Sequence, residues 1–318
     1  MISSKFKRFV NDLLSDTRQL TRIVILVGIL LVLVVVSFGS YYYYDRYYSN
    51  QTPATENIIT QAQKAVEKNP QDPEAHLGLA EAYMVNRRYD DALGEANQVM
   101  AAYPDNQHAW FVVGVANALK GNPKDAVEPL QKFYDANKGA DMPGLNKALQ
   151  SAAFYLGDSY LQLNQPDQAV PVLEKAVEWS QTDADAMVKL GTAYLAVKRY
   201  ENAVTMFQAA TRFVPNYTEA YQGMATAYQA MNEPGYVDYA NGMVAYSKKD
   251  YKAALDLLIK ATQADPQYLP ALDGLGLTYE AMNDLQNAKA SYEAALKLIP
   301  DDFTATTGLQ RVNAQLNK

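Results

Sequence analysis

From residue 56 onward, apolar residues recur at three- and four-residue spacing in blocks of about a dozen, the signature of amphipathic helices, with short polar breaks between them. Residues 184 to 217 carry the pattern most fully. Met187, Leu190, Gly191 and Tyr194 fall on one helical stripe, and Tyr200, Ala203, Phe207 and Ala210 on a second. Lys198 and Arg199 mark a turn and Pro215 a stop, so the spacing predicts a helical hairpin. Two helices this short cannot bury their stripes alone; such a unit is stable only when stacked on others like it.

Copies surround it. Residues 73 to 106 contain His76, Leu79, Ala80, Tyr83, Tyr89, Ala92 and Pro104 in the same order, and Asp72 before Pro73 is a good helix start. Residues 107 to 140 keep Trp110, Val113, Gly114, Ala126 and Phe133, and 150 to 183 keep Leu156, Gly157, Tyr160, Ala169 and Ala176. Pro129 and Pro171 lie inside second helices, where local bends are expected. Before the first unit, residues 56 to 69 fit a second helix with Ile58, Ala62 and Ala65 inward and Pro70 as its stop.

Two places break the period. Residues 141 to 149 are extra, and extend the following helix or form a loop before it. A fifth unit opens at 218 with Tyr221, Met224 and Tyr228, but the next good register, with Gly242, Tyr251, Ala254, Leu258 and Pro266, starts at 235, half a period later. The pattern predicts a three-helix junction there, entered by a turn at Glu233, Pro234 and Gly235, with residues 236 to 247 serving one unit or the other. Residues 269 to 302 form a last complete unit, and the polar 303 to 318 suit a solvated cap.

This order of a bulky residue, Leu-Gly, Tyr, Tyr, Ala, an aromatic, Ala and Pro resembles the tetratricopeptide repeat family. The resemblance implies an all-α fold: a right-handed α-solenoid of helix-turn-helix hairpins over residues 56 to 318, binding proteins or peptides in a groove lined by the first helix of each unit. Carried onto this chain, the groove positions include Leu77, Met84, Phe111, Val115, Phe154, Leu161, Val188 and Leu195. They offer aliphatic and aromatic groups with scattered acids and almost no Lys or Arg, unlike the basic clamp by which some family members hold acidic chaperone tails. The stripe suits an apolar or weakly basic peptide, or a partner's helix; packing between neighbouring first helices is the equal alternative. The tyrosines around the broken register, Tyr236 and Tyr239 among them, mark a possible second interface.

Ahead of the repeats the pattern changes. Residues 4 to 20 space Phe6, Phe9, Val10, Leu13 and Leu14 as a short amphipathic helix, and Lys5, Lys7, Arg8, Arg18 and Arg22 make residues 1 to 22 basic. Residues 23 to 44 carry no charge; as a helix they would be roughly 30 Å long, enough to cross a bilayer. Tyr41, Tyr42, Tyr43, Tyr44, Tyr47 and Tyr48 then resemble an aromatic belt at the headgroups. The excess of Lys and Arg before the span places the N-terminus in the cytoplasm and everything after the 45 to 55 linker outside, on a single-pass anchor in the cytoplasmic (inner) membrane of a bacterial cell. A cleaved signal peptide ending near Ser37 and Gly39 is the competing reading, and it too exports the body.

Composition narrows the chemistry. With no Cys there are no disulfides, thiolates or Cys-bound metals. Net charge is −7 overall, but after residue 49 there are 22 Lys and Arg against 32 Asp and Glu, a body too acidic for nucleic acid. His76 and His108 are the only histidines, and no phosphate loop, nucleophile elbow or zinc signature accompanies them. No catalytic, cofactor-binding or metal residue is expected, nor a small-molecule substrate. The expectation is a membrane-anchored, non-enzymatic scaffold or assembly factor for a membrane or exported protein. The alternative is an anchored chaperone that holds exported polypeptides near the secretion machinery.

Overall fold

The computed structural model describes residues 54 to 317, and these form fifteen α-helices, one short 3-10 turn and no strand. A lone helix α1 (Ala54–Lys68) is followed by four hairpins. These are α2 (Pro73–Val85) with α3 (Tyr89–Ala102), α4 (Gln107–Lys120) with α5 (Pro123–Asn137), α6 (Lys147–Gln162) with α7 (Pro166–Trp179), and α8 (Ala184–Ala196) with α9 (Tyr200–Phe213). Then come α10 (Thr218–Ala230), α11 (Pro234–Ser247) and α12 (Tyr251–Ala264), a last hairpin of α13 (Leu269–Ala281) and α14 (Leu285–Leu298), and the terminal α15 (Phe303–Leu316). The amphipathic segment, apolar span and tyrosine belt expected within residues 1 to 53 lie outside the described residues. No helix among the described residues is long and apolar enough to cross a membrane.

Local chemistry places the helix ends. Asp72, Asn106, Asn146, Asp183 and Asp302 each accept a bond from a backbone N–H of the first turn, satisfying a donor that the helix itself leaves unpaired. Every first helix ends in one recurrent turn. A residue at positive φ follows it, as at Arg87, Gly121, Asn164 and Lys198, and the next N–H reaches back to a carbonyl five residues earlier, as Arg88 does to Tyr83. Second helices end differently, in extended residues such as Tyr103, Ser180 and Val214. The chain thus has two kinds of corner, and each identifies the helix before it.

From α2 onward each helix packs on its neighbours in sequence, and consecutive first helices also touch, α2 on α4, α4 on α6, α6 on α8 and α8 on α10. Second helices make no comparable contact with one another, so the first helices form the close inner layer and the second helices the splayed outer one. The core between the layers is knobs against glycines. Phe207 on α9, 1% exposed, lies between Gly191 on α8 and Gly223 on α10. A Cβ at Gly191 would meet the ring at 2.7 Å and one at Gly223 at 2.2 Å. Tyr292 on α14 stands likewise between Gly276 and Gly308. Where the knob is the smaller Leu173 it meets Gly157 alone, and the following first helix carries Lys189 at the position of Gly223.

The half-period break resolves into one helix with two roles. α11 is entered through a first-helix corner, with Asn232 at φ 61 and the Glu233 N–H on the Tyr228 carbonyl. It is also left through one, with Lys249 at φ 64 and the Asp250 N–H on the Ala245 carbonyl. It packs against α10 as a second helix would, yet it touches α13 as first helices touch each other, while α10 makes no comparable contact with α12. Residues 236 to 247 therefore serve both units, where the sequence offered them to one or the other. The inner layer is divided accordingly into α2 to α10 and α11, α13 and α15.

Two expectations change in detail. On α1 the buried stripe is Ile59 with Ala62 and Val66 packed beside it; Ile58 and Ala65 are exposed, so the inward face is rotated by about one residue, 100° of a helix. The extra residues form both a loop and a helical extension: Pro143–Leu145 is a 3-10 turn and α6 starts at Lys147. Gln150 fastens that turn, its amide donating to the carbonyls of Gly144 and Trp179. Helices α5 and α7 continue through Pro129 and Pro171.

Candidate functional site

The inner layer of α2 to α10 is the surface on which the expected groove residues converge. Met84, Phe111, Phe154, Leu161 and Leu195 are half-buried there and keep part of their apolar surface open. Phe111 rests on Phe133 of the outer layer with ring centroids 5.2 Å apart, and Phe154 meets Tyr155 edge-on at 5.1 Å. Both rings are held in fixed orientations from behind. Val85 and Leu119, at the first-helix ends, add open apolar surface at 62% and 38% exposure. Leu77, Val115 and Val188 are different: all three are buried against neighbouring helices and offer nothing to a partner. Their groove positions are spent on packing, because consecutive first helices approach closely there.

The acids of the groove are mostly engaged by the next repeat. His108 on α4 bridges two carboxylates of α2, with Nδ1 2.8 Å from Glu74 and Nε2 3.0 Å from Glu81. A carboxylate only accepts, so both ring nitrogens must donate and the imidazole is held as the cation. The bond to Glu81 is the main cause and that to Glu74 adds to it, so that the pKa is pushed up to about 9 against the opposing effect of burial. Lys189 on α8 lies 2.5 Å from Asp158 on α6, and the Tyr217 hydroxyl donates to Asp185. Such pairs knit successive first helices together and offset part of the groove's negative charge, His108 and Lys189 supplying two positive charges against Glu74, Glu81, Asp158, Asp185 and Glu219. Exposed beside them are apolar groups and, on α10, the polar Glu219, Gln222, Thr226 and Gln229.

His76 has a structural position. Its Nδ1 is 2.6 Å from Glu95 and its Nε2 3.0 Å from the Pro70 carbonyl, both acceptors, so this ring too is held protonated and its pKa is raised, first by the Glu95 bond. The second of these contacts recurs. Trp110 donates to the Pro104 carbonyl and Tyr221 to that of Pro215, each from the equivalent position of its first helix. Among the described residues no cluster of three His, Asp or Glu side chains could hold a metal ion.

Tyr239 is drawn into the interior, and Tyr236 is half-buried beside it. Tyr239 is 8% exposed and sits between Tyr221, at a centroid distance of 6.3 Å, and Tyr268, at 5.0 Å. Tyr236 packs between Tyr228 and Tyr268 at 5.2 and 4.6 Å, with its hydroxyl directed to Asp265. These rings fill the seam that the shared helix α11 makes with α10 and α13. Tyrosine at the broken register thus packs an irregular junction: burial withdraws Tyr239 from the expected second interface, while Tyr236 keeps part of its ring exposed. Beside it, Asp273 Oδ1 is the one buried side-chain oxygen among the described residues without a hydrogen-bond partner. Burial, and then the carboxylate of Asp302, push the Asp273 pKa up to about 7.

Family models identify the repeat. A tetratricopeptide repeat model matches residues 59–114 and 160–228, and a second model of the same description matches 269–302. No curated protein sequence matches the chain. Among solved structures, YrrB, described as a TPR protein with an unusual peptide-binding site, is 21% identical over 67% of this chain and 97% of its own, with a TM-score of 0.49. MamA is 21% identical over 61% of this chain and 95% of its own at 0.44. The Cut9–Hcn1 hetero-tetramer of APC/C is 16% identical over 81% of this chain and 46% of that one, also at 0.44. Sequence-model matches and architecture together establish an all-helical solenoid of tetratricopeptide repeats.

Proposed function

Starting from a chain built of tetratricopeptide repeats, we propose that it is a non-catalytic binding scaffold whose inner layer, α2 to α10, holds an apolar segment of a partner protein. The supporting observation is the division of labour in that layer. Met84, Phe111, Phe154, Leu161 and Leu195 keep apolar surface open, while the neighbouring acids are paired with His108 and Lys189. A surface whose acids are mostly engaged by its own side chains selects its ligand largely by shape and apolar area. The assignment of both histidines to structural bonds agrees with binding without catalysis.

The scaffold is tethered to the cytoplasmic membrane by residues 23 to 44, with the repeats outside. The support is the uncharged run, the tyrosines after it and the basic residues before it. A short tether restricts partners to membrane-bound or exported chains.

Crosslinking of the full chain after mild detergent extraction tests this reading. One partner set at fixed stoichiometry, lost on Phe154→Asp or Leu161→Asp while α-helix content is kept, is the expected result. Retention of every partner by those variants would place the site elsewhere. Crosslinks to many unfolded clients, with suppression of aggregation, would instead establish an anchored chaperone. Extraction by salt alone would remove the tether.

A further inference from the structure

The outer layer holds a site that the repeat pattern itself defines. In most units the eleventh residue of the repeat is a tyrosine whose hydroxyl reaches the preceding second helix. Tyr83 accepts from Gln63 at 3.3 Å, Tyr160 donates to Gln131 at 2.9 Å, Tyr194 donates to Glu174 at 2.7 Å, and Tyr228 accepts from Gln208 at 3.3 Å. The hydroxyl thus ties the first helix to the second helix before it, and at Tyr83 and Tyr194 the arginine that opens the following second helix, Arg88 or Arg199, covers the ring at 4.5 and 4.4 Å.

In α4 the equivalent residue is Asn117. Its side chain turns back on its own helix, Nδ2 donating to the Val113 carbonyl at 3.0 Å, and it is too short to reach the preceding second helix. The residue that stands where Gln63 and Gln131 hold their phenols is Asn97 on α3, one period from each. Between α3 and α5 a cleft of 510 Å³ opens at this place, bordered by Leu93, Asn97, Met100, Trp110, Val113 and Asn117. This lies inside the range of about 300–1,000 Å³ usual for ligand sites. Trp110 has its indole N–H committed to the Pro104 carbonyl at 2.8 Å, so it contributes ring surface and not a donor. The remaining wall, on α5, carries two lysines and two acids, with Lys132 2.9 Å from Glu128, and is balanced in charge.

We propose that this cleft binds a tyrosyl side chain supplied by a partner protein, its ring between α3 and α5 and its hydroxyl on the Asn97 amide. The four filled equivalents in the same chain fix the choice of occupant. The balanced wall selects the neutral phenol over a phosphorylated one. This site is on the outer layer, away from the apolar groove, and stands whether or not the groove holds a partner.

The test uses the full chain carrying Trp179→Phe, so that Trp110 gives the single indole N–H signal in a nitrogen–proton NMR spectrum. N-acetyl-L-tyrosinamide is the probe. A saturable shift of that signal is expected, with binding roughly five- to tenfold weaker for N-acetyl-L-phenylalaninamide, the effect of one lost hydrogen bond, and weaker also for the phosphorylated probe. Asn97→Ala should bring the tyrosine probe down to the phenylalanine level. Asn117→Tyr should fill the cleft from within, abolish the shift and raise the thermal midpoint. Absence of a saturable shift in the parent, or an unchanged shift in a folded Asn117→Tyr chain, would overturn the assignment.

Discussion

Gly223 is the most sharply constrained position in the core, and substituting alanine there tests the knob-and-glycine account directly. A Cβ at residue 223 would lie 2.2 Å from Phe207 Cζ and 2.5 Å from Cε2, more than an ångström inside normal carbon contact, which is about 3.5–4.0 Å. The ring has little room to retreat, because the α8 backbone at Gly191 lies on its other side, so near that a Cβ added there would also clash, at 2.7 Å. Overpacking of this kind costs about 1–3 kcal/mol, and the depth of the overlap argues for the upper end. Against this, replacing glycine by alanine inside a helix returns about 1 kcal/mol of propensity. Gly223→Ala should therefore destabilise by roughly 2 kcal/mol. In a Phe207→Leu background the clash is gone and only the propensity gain remains, so the same substitution should become neutral or stabilising. The chain contains its own precedent in Leu173, which tolerates Lys189 at the matching place.

The appropriate assay is urea unfolding followed by far-ultraviolet circular dichroism. Hydrogen exchange should localise the effect to α8, α9 and α10, because a repeat array need not unfold as one unit. A coupling energy near zero, with Gly223→Ala costing the same in both backgrounds, would refute the reasoning.

Tyr239→Ala should cost about 3–5 kcal/mol, as large aromatic-to-alanine changes in cores do, whereas Tyr239→Phe should cost little; thermal melts that show both variants near the parent would return Tyr239 to a surface role. Asp273 carries a pH dependence of definite sign. Its folded pKa of about 7 lies above the value of about 3.9 for an unfolded aspartate, so stability is fully present below the lower value and is lost as pH rises through the upper one. Asp273→Asn should thus raise the urea midpoint at about pH 8 and leave it nearly unchanged at about pH 4, and a parent chain equally stable at both would contradict this.

Much of the architecture was legible from residue order alone. A helix-period pattern with Leu-Gly, Tyr and Ala at fixed places identifies hairpins that must stack, since neither helix can bury its stripe unaided. Capping residues such as Asp72, Asn106 and Asp183 mark where helices begin, and the irregularities at 141 to 149 and after 230 are visible as counts. These are local properties, carried by residues a few positions apart.

What depends on residues a whole period apart was decided by the tertiary structure. Residue order offered Leu77, Val115 and Val188 to a partner, but the close approach of consecutive first helices buries them. It assigned scattered negative charge to the groove, where His108 and Lys189 from the following repeat engage Glu74, Glu81 and Asp158. It set Tyr239 on a surface, and the shared helix α11 folds it inside. The cleft beside Asn117 is a signature residue absent from one unit, and it becomes a site only once α3 and α5 are held apart over α4. In each case the periodic code specifies the stripe a residue occupies, while the neighbour one repeat away determines whether that residue packs, pairs or remains open.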